Sequence, residues 1–83
     1  MKETKVPKII QVTPLKNLTL LVIFENGSKK NYNVKKLFNV FPQFNDLKNL
    51  SLFQMVHIDS NGYAISWNDD LDLSRYEIWE NGK

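Results

Sequence analysis

Cysteine is absent from the 83 residues, which excludes a disulfide framework, a thiolate metal centre and a cysteine nucleophile. Histidine and arginine occur once each, and glycine three times. Any imidazole acid–base chemistry would therefore fall to His57, and three scattered glycines cannot build a phosphate-cradling loop. The patterns G-x-x-x-x-G-K-[ST], G-x-G-x-x-G and H-E-x-x-H do not occur. No apolar run approaches the ~18–20 residues of a membrane span, and the opening MKETKVPKIIQV lacks the apolar stretch of a signal peptide. These absences predict a cytoplasmic protein with no membrane partner, no cofactor and no metal site.

What is there suffices for a core. Hydrophobic residues make up 42% of the chain and aromatics 12%, which argues against disorder and for one domain over residues 1–83. A chain of this size buries only roughly 60–65% of the surface its unfolded form exposes. Without disulfides, the core must hold the fold alone. Charge is unevenly spread along the chain. Up to Lys48 there are nine lysines against three acidic residues, a balance of +6; beyond it Arg75 and Lys83 face six acidic residues, a balance of −4.

The pattern along the chain predicts an α+β fold: a small antiparallel sheet, made of a three-strand meander plus a second hairpin, with short helices. The first strand is Lys8–Thr13, ended by Pro14; the second, Leu18–Phe24, is apolar on both faces; the third is Lys29–Val34. Asn26-Gly27 supplies two positive-φ residues for a tight turn between the last two. Val34–Val40 predicts a short helix, with Leu37, Phe38 and Phe41 inward and Pro42 stopping it. Asn45–Gln54 reads as loop with one or two helical turns, Ser51 serving as a cap. Its neighbourhood is rich in large apolar residues (Phe38, Phe41, Phe44, Leu50, Leu52, Phe53, Met55), either core or an exposed interface. The second hairpin pairs Val56 and Ile58 with Tyr63, Ile65 and Trp67 on one face, and turns at Asp59–Gly62. His57 then points with Ala64 and Ser66 to the more polar face. A Ser60–His57–Asp59 triad is ruled out because adjacent strand residues face opposite ways.

The stretch Ile65–Ser74, ISWNDDLDLS, looks most like chemistry. Tested as a calcium loop from Asp70, it places Ser74, Arg75 and Asn81 where an acid, a glycine and a bidentate glutamate belong. That match fails, and only weak magnesium binding by Asp69, Asp70 and Asp72 is left open. Helix punctuation explains more. With Ser74 as N-cap, Glu77 falls where a capping box needs it, and Leu73 and Ile78 form a hydrophobic staple. The last element is then a helix over Arg75–Asn81 with Gly82 as a left-handed C-cap, and Asp70 and Asp72 sit just ahead of its positive end.

The residues in this order resemble a family of small prokaryotic domains, domain of unknown function 2442. The resemblance covers about Pro7 to Gly82: P-K-I-I-Q-V, the F-E-N-G-S hairpin, F-N-D-L and L-F in the middle, then N-G-x-x-I-x-W, D-L-D-L-S and W-E-N-G. Ile78-Trp79 stands where the family often has Leu-Tyr. The resemblance implies a small α+β domain with no established catalytic residue, so none is carried over. It also implies one half of a two-gene module, for which a toxin–antitoxin role is suggested. Some relatives add a C-terminal helix-turn-helix; its lack here argues against autonomous DNA regulation.

Two functions are expected in order. The first is a non-enzymatic interaction module binding a small protein partner through an apolar patch and charged edges, with Lys29, Lys30, Lys35, Lys36, Asp69, Asp70 and Asp72 as candidate surface. The second is a nucleic-acid accessory protein, in which those lysines, with Lys8 or Lys16, form a phosphate-binding stripe. Trp67, Ser74, Glu77 and Gly82 form the structural signature.

Overall fold

The computed structural model describes residues 6–83, so the leader reading, which rests partly on residues 1–5, lies outside the described residues. β1 (Ile9–Leu15), β2 (Thr19–Phe24) and β3 (Lys29–Asn33) form the expected antiparallel meander, with β2 central. Strict alternation on β2 buries Leu20, Val22 and Phe24 while Leu21 and Ile23 stay half-covered, and Tyr32 of β3 joins the buried face. So β2 is the central strand of its sheet, one of the two placements an apolar run on both faces allows, and it is fully buried on one face and half-covered on the other. β1 does not end before Pro14 but runs through it; an edge strand tolerates proline where a central one does not. The β2–β3 turn also differs. Only Gly27 has positive φ (91°), Phe24 C=O accepts from Gly27 N–H (2.9 Å), and Phe24 N–H donates to Ser28 C=O (2.8 Å). This is a three-residue loop with a glycine bulge. Asn26 contributes its side chain, accepting from Ser28 N–H, rather than a left-handed backbone.

A second three-stranded sheet follows, β4 (His57–Asp59), β5 (Ala64–Asn68) and β6 (Leu71–Ser74), with β5 central. The predicted hairpin is β4–β5, joined by the longer loop Ser60–Tyr63. β6 was not expected. Leu71 and Leu73 are buried while Asp72 and Ser74 are exposed, so the acidic stretch is a strand rather than a lead-in to a helix. Asp69 and Asp70 occupy its turn, where Asn68 Oδ1 accepts from the Asp70 and Leu71 N–H groups. Tyr63 lies in the loop and is 47% exposed, not inward with Ile65 and Trp67 as expected.

The middle section, Val34–Phe53, is a chain of short turns. A 3₁₀ turn spans Val34–Leu37, capped by Asn33. Pro42 opens a second one, Pro42–Lys48, where it was expected to close a helix. Proline suits a first helical position because its missing N–H has no partner there anyway. One α-helical turn, α1 (Leu50–Phe53), is capped by Asn49, whose Oδ1 accepts from Ser51 and Leu52 N–H, and not by Ser51. Leu37, Phe44, Leu47 and Phe53 enter the core, whereas Val40, Phe41, Leu50 and Met55 remain exposed. The apolar segment is thus part core and part surface.

α2 (Arg75–Asn81) continues directly from β6 and lays Ile78 into the core. Trp79 meets Phe24 edge-on at 5.0 Å between ring centroids. The residues of both sheets, the middle section and α2 form one apolar cluster, and no buried side-chain nitrogen or oxygen among the described residues lacks a hydrogen-bond partner. The α+β expectation holds, with two sheets around one core.

Candidate functional site

Trp67 organises the region where the middle section meets the second sheet. Its ring is buried, its Nε1–H donates to Phe53 C=O (3.1 Å), and Phe44 stands edge-on against it at 6.1 Å. Phe41 stacks edge-on on Phe44 at 6.3 Å. Asn45 pins this turn by donating its amide to the carbonyls of Phe38 (3.0 Å) and Pro42 (2.9 Å). The outcome is a groove of about 330 Å³, floored by Leu37, Phe41 and Phe44 and walled by β6 and the first turn of α2. Phe41 is 48% exposed on its rim, and Val40 beside it 64%. Asp72, Ser74 and Glu77 supply the polar wall, with Gln43 opposite.

The polar wall is organised by α2. Ser74 Oγ accepts from Glu77 N–H (3.3 Å), as an N-cap should. The capping box is only half made. The Glu77 carboxylate turns instead to the buried Tyr32, whose hydroxyl donates to it at 2.7 Å, while Ser74 pairs with Ala64 in the sheet. Burial, this hydrogen bond and the Glu77 charge, in that order, raise the Tyr32 pKa well above its ordinary value. At the far end Gly82 has φ −80°, not the left-handed cap expected. Glycine is needed there for proximity, because a Cβ would lie 2.6 Å from Ile78 C=O and 3.1 Å from Lys30 Cβ. The next residue seals the joint, Lys83 N–H donating to Asn31 C=O (2.8 Å).

The signature residues thus each fix a joint, Trp67 to α1, Ser74 and Glu77 at the start of α2, and Gly82 at its end, and these joints span most of the chain. The model of a family described as a protein of unknown function (DUF2442) matches residues 9–83. The chain belongs to the DUF2442 family. Neither a curated protein nor a solved structure matches it.

The expected surface residues of this DUF2442 domain do not form one patch. Asp72 lines the groove, while Asp69 and Asp70 stand at the adjoining turn. No group of three His, Asp or Glu residues is placed to hold a metal ion among the described residues. Lys29 and Lys30 are neighbours on β3 and point to opposite faces. Lys30 extends over the Trp79 ring (5.1 Å) and Lys36 over Tyr32 (4.8 Å), with Lys36 Nζ also donating to Asn81 C=O at 2.8 Å. Lys36 therefore caps the C-terminal end of α2, where a cation is stabilised by the helix dipole. Lys29 and Lys35 are exposed at opposite ends of the meander, and Lys16 lies at the β1–β2 turn, at the end where Thr19 pairs with Asn33.

One cluster was not foreseen. The Arg75 guanidinium lies against the rings of both Tyr63 (4.4 Å) and Tyr76 (4.5 Å), and Lys8 Nζ also lies over the Tyr63 ring at 5.2 Å. Arg75 Nε donates to Val6 C=O at 3.1 Å, fixing the stack against the start of β1. No spacing rule joins residues 8, 63 and 75; only the fold does. His57 shares a face with Ser66 as expected, the two lying directly opposite each other on β4 and β5. His57 Nδ1 faces Met55 C=O (3.0 Å), which can only accept, so Nδ1–H donates to it, and Nε2 shares a hydrogen bond with Ser66 Oγ (3.2 Å). Ser66 is 5% exposed, so the pair satisfies a covered hydroxyl rather than presenting a nucleophile.

Proposed function

We propose that this DUF2442 domain is a non-enzymatic protein-interaction module of the cytoplasm, working as the antitoxin-like member of a two-gene pair. The groove beneath β6 carries the reading. It joins the exposed part of the apolar middle section to the acidic strand, so the apolar patch and one charged edge expected of a partner surface adjoin each other. An exposed aromatic residue, Phe41, beside a concave, charged wall is suited to anchor a partner. The test is recovery of the tagged chain from its host, followed by native mass spectrometry, with Phe41→Ser alongside. One stoichiometric small protein retained by the natural chain and lost by a folded Phe41→Ser variant is expected. Recovery of the chain alone, or with nuclease-sensitive material only, overturns the reading.

One observation favours the second reading, nucleic-acid association. The Lys8–Tyr63–Arg75–Tyr76 stack alternates cations with aromatic rings, as surfaces that stack bases and neutralise phosphates do. It offers better chemistry for this role than the dispersed lysines of β3. Binding of a single-stranded oligonucleotide that weakens steeply with salt and is lost in Tyr63→Ala would support it.

A further inference from the structure

β6 is an outer strand of its sheet, and its free side opens into the groove. The register shows which main-chain groups it presents. Arg75 N–H donates to Tyr63 C=O at 3.0 Å, and the pairs Ala64↔Ser74, Ile65↔Leu73 and Ser66↔Asp72 continue that alignment. In an antiparallel ladder, hydrogen-bonded and non-bonded pairs alternate. Leu73 is therefore bonded to Ile65, while the N–H and C=O of Asp72 and the N–H of Ser74 point away from β5. A row of main-chain donors and acceptors thus lies along an apolar floor.

We propose that the groove binds an extended segment of a partner protein as an added strand on β6, with alternating apolar and basic side chains. This rests on the interaction reading above and specifies its mode. Side chains on the Leu73 face of the new strand would meet Phe41 and Phe44, and those on the other face would meet the Asp72 carboxylate. Asp70 and Asp69 at the adjoining turn extend the same preference for positive charge. A second copy of this chain fits poorly. Antiparallel pairing of β6 with itself brings the two Asp72 carboxylates opposite or diagonal to each other, and facing like charges destabilise a strand pair.

The test pans a short-peptide display library against the full chain, then follows the best synthetic peptide by amide-resolved NMR. The expected peptide alternates apolar and basic residues, shifts the Phe41 and Phe44 signals, and slows amide exchange at Asp72 and Ser74 by about tenfold or more. Methylating the peptide nitrogens that face β6 abolishes binding, and methylating the alternate ones does not. Asp72→Lys, an exposed change on the strand, weakens that peptide and favours an acidic counterpart. Peptides that shift Phe41 and Phe44 but leave the Asp72 and Ser74 amides unprotected overturn strand addition and leave the groove reading standing. Enriched peptides that bind away from Phe41 and Phe44 overturn both. A library with no enrichment overturns strand addition, and the host recovery experiment then decides the groove reading by itself.

Discussion

Replacing Tyr32 by phenylalanine removes a single oxygen from the joint between β3 and α2. The ring is fully buried and its hydroxyl donates to Glu77 at 2.7 Å. A hydrogen bond to a charged group is worth about 1.5–3 kcal/mol net. Glu77 is half-buried, so water can reach its carboxylate once the hydroxyl is gone, and the expected loss lies near the lower end, about 1.5 kcal/mol. For a domain of this size that lowers the Tm by about 6–12 °C. The loss must also depend on pH. The folded Tyr32 pKa stands above the ordinary 10.0, so its contribution is complete below pH 10.0 and fades as pH rises through the folded value. The unfolded phenol ionises first, and each pH unit above its pKa costs the natural chain up to about 1.4 kcal/mol relative to the Phe variant. Urea unfolding of both chains, from neutral to strongly alkaline pH, measures the difference. The Tyr32→Phe penalty should shrink and then reverse in the alkaline range. A penalty absent at neutral pH, or constant throughout, would refute this account of the joint.

Gly62 has φ 94°, and a Cβ there would lie 2.7 Å from Ile9 C=O; Gly62→Ala should cost about 2–4 kcal/mol in chemical denaturation. Gly27 has φ 91° with nothing near its missing Cβ, so Gly27→Ala should cost only about 1–2 kcal/mol, and equal losses would contradict this difference. Trp67→Phe removes the Phe53 hydrogen bond and leaves a void beside Phe44. Thermal unfolding should show a loss of about 2–4 kcal/mol, with α1 amides losing exchange protection first. Lys36→Ala withdraws the cation from the last carbonyls of α2 and should cost about 0.5–1 kcal/mol, diminishing in high salt.

Much of this arrangement can be read along the chain, and the parts that cannot share a cause. The meander and the β4–β5 hairpin follow from alternation and turn residues, both local signals. The Ser74 cap is local as well, and it is where expected. The other half of the capping box fails because Glu77 has a better partner, a hydroxyl donor 45 positions away that local rules cannot foresee. Gly82 shows the same thing: a glycine in the right place for a left-handed cap, required instead by the closeness of the Ile78 carbonyl, with Lys30 of β3 crowding the same spot. In the middle section, Phe41 and Phe44 are the same residue type three positions apart, yet Phe44 reaches Trp67 and Phe41 stays on the rim. The separation of core from surface there depends on 3₁₀ turns whose inward positions follow neither a helical nor a strand period.

β6 bears most on function. Leu71-Asp72-Leu73-Ser74 does alternate, but four residues are too few to distinguish a strand from a capped lead-in to a helix. What decides it is β5, whose other side is already occupied by β4, so pairing with β6 completes a three-stranded layer. Treated as punctuation, Asp72 would only have stabilised a helix end. On a strand, it becomes the charged residue beside an open edge. Charge at such an edge deters pairing between identical copies, since each would bring the same carboxylate. It does not deter a strand of opposite charge. The one substitution that separates these roles is Asp72→Asn. A helix-end role predicts lower stability with unchanged solubility, whereas the edge role predicts near-unchanged stability, more self-association and weaker capture of a basic strand.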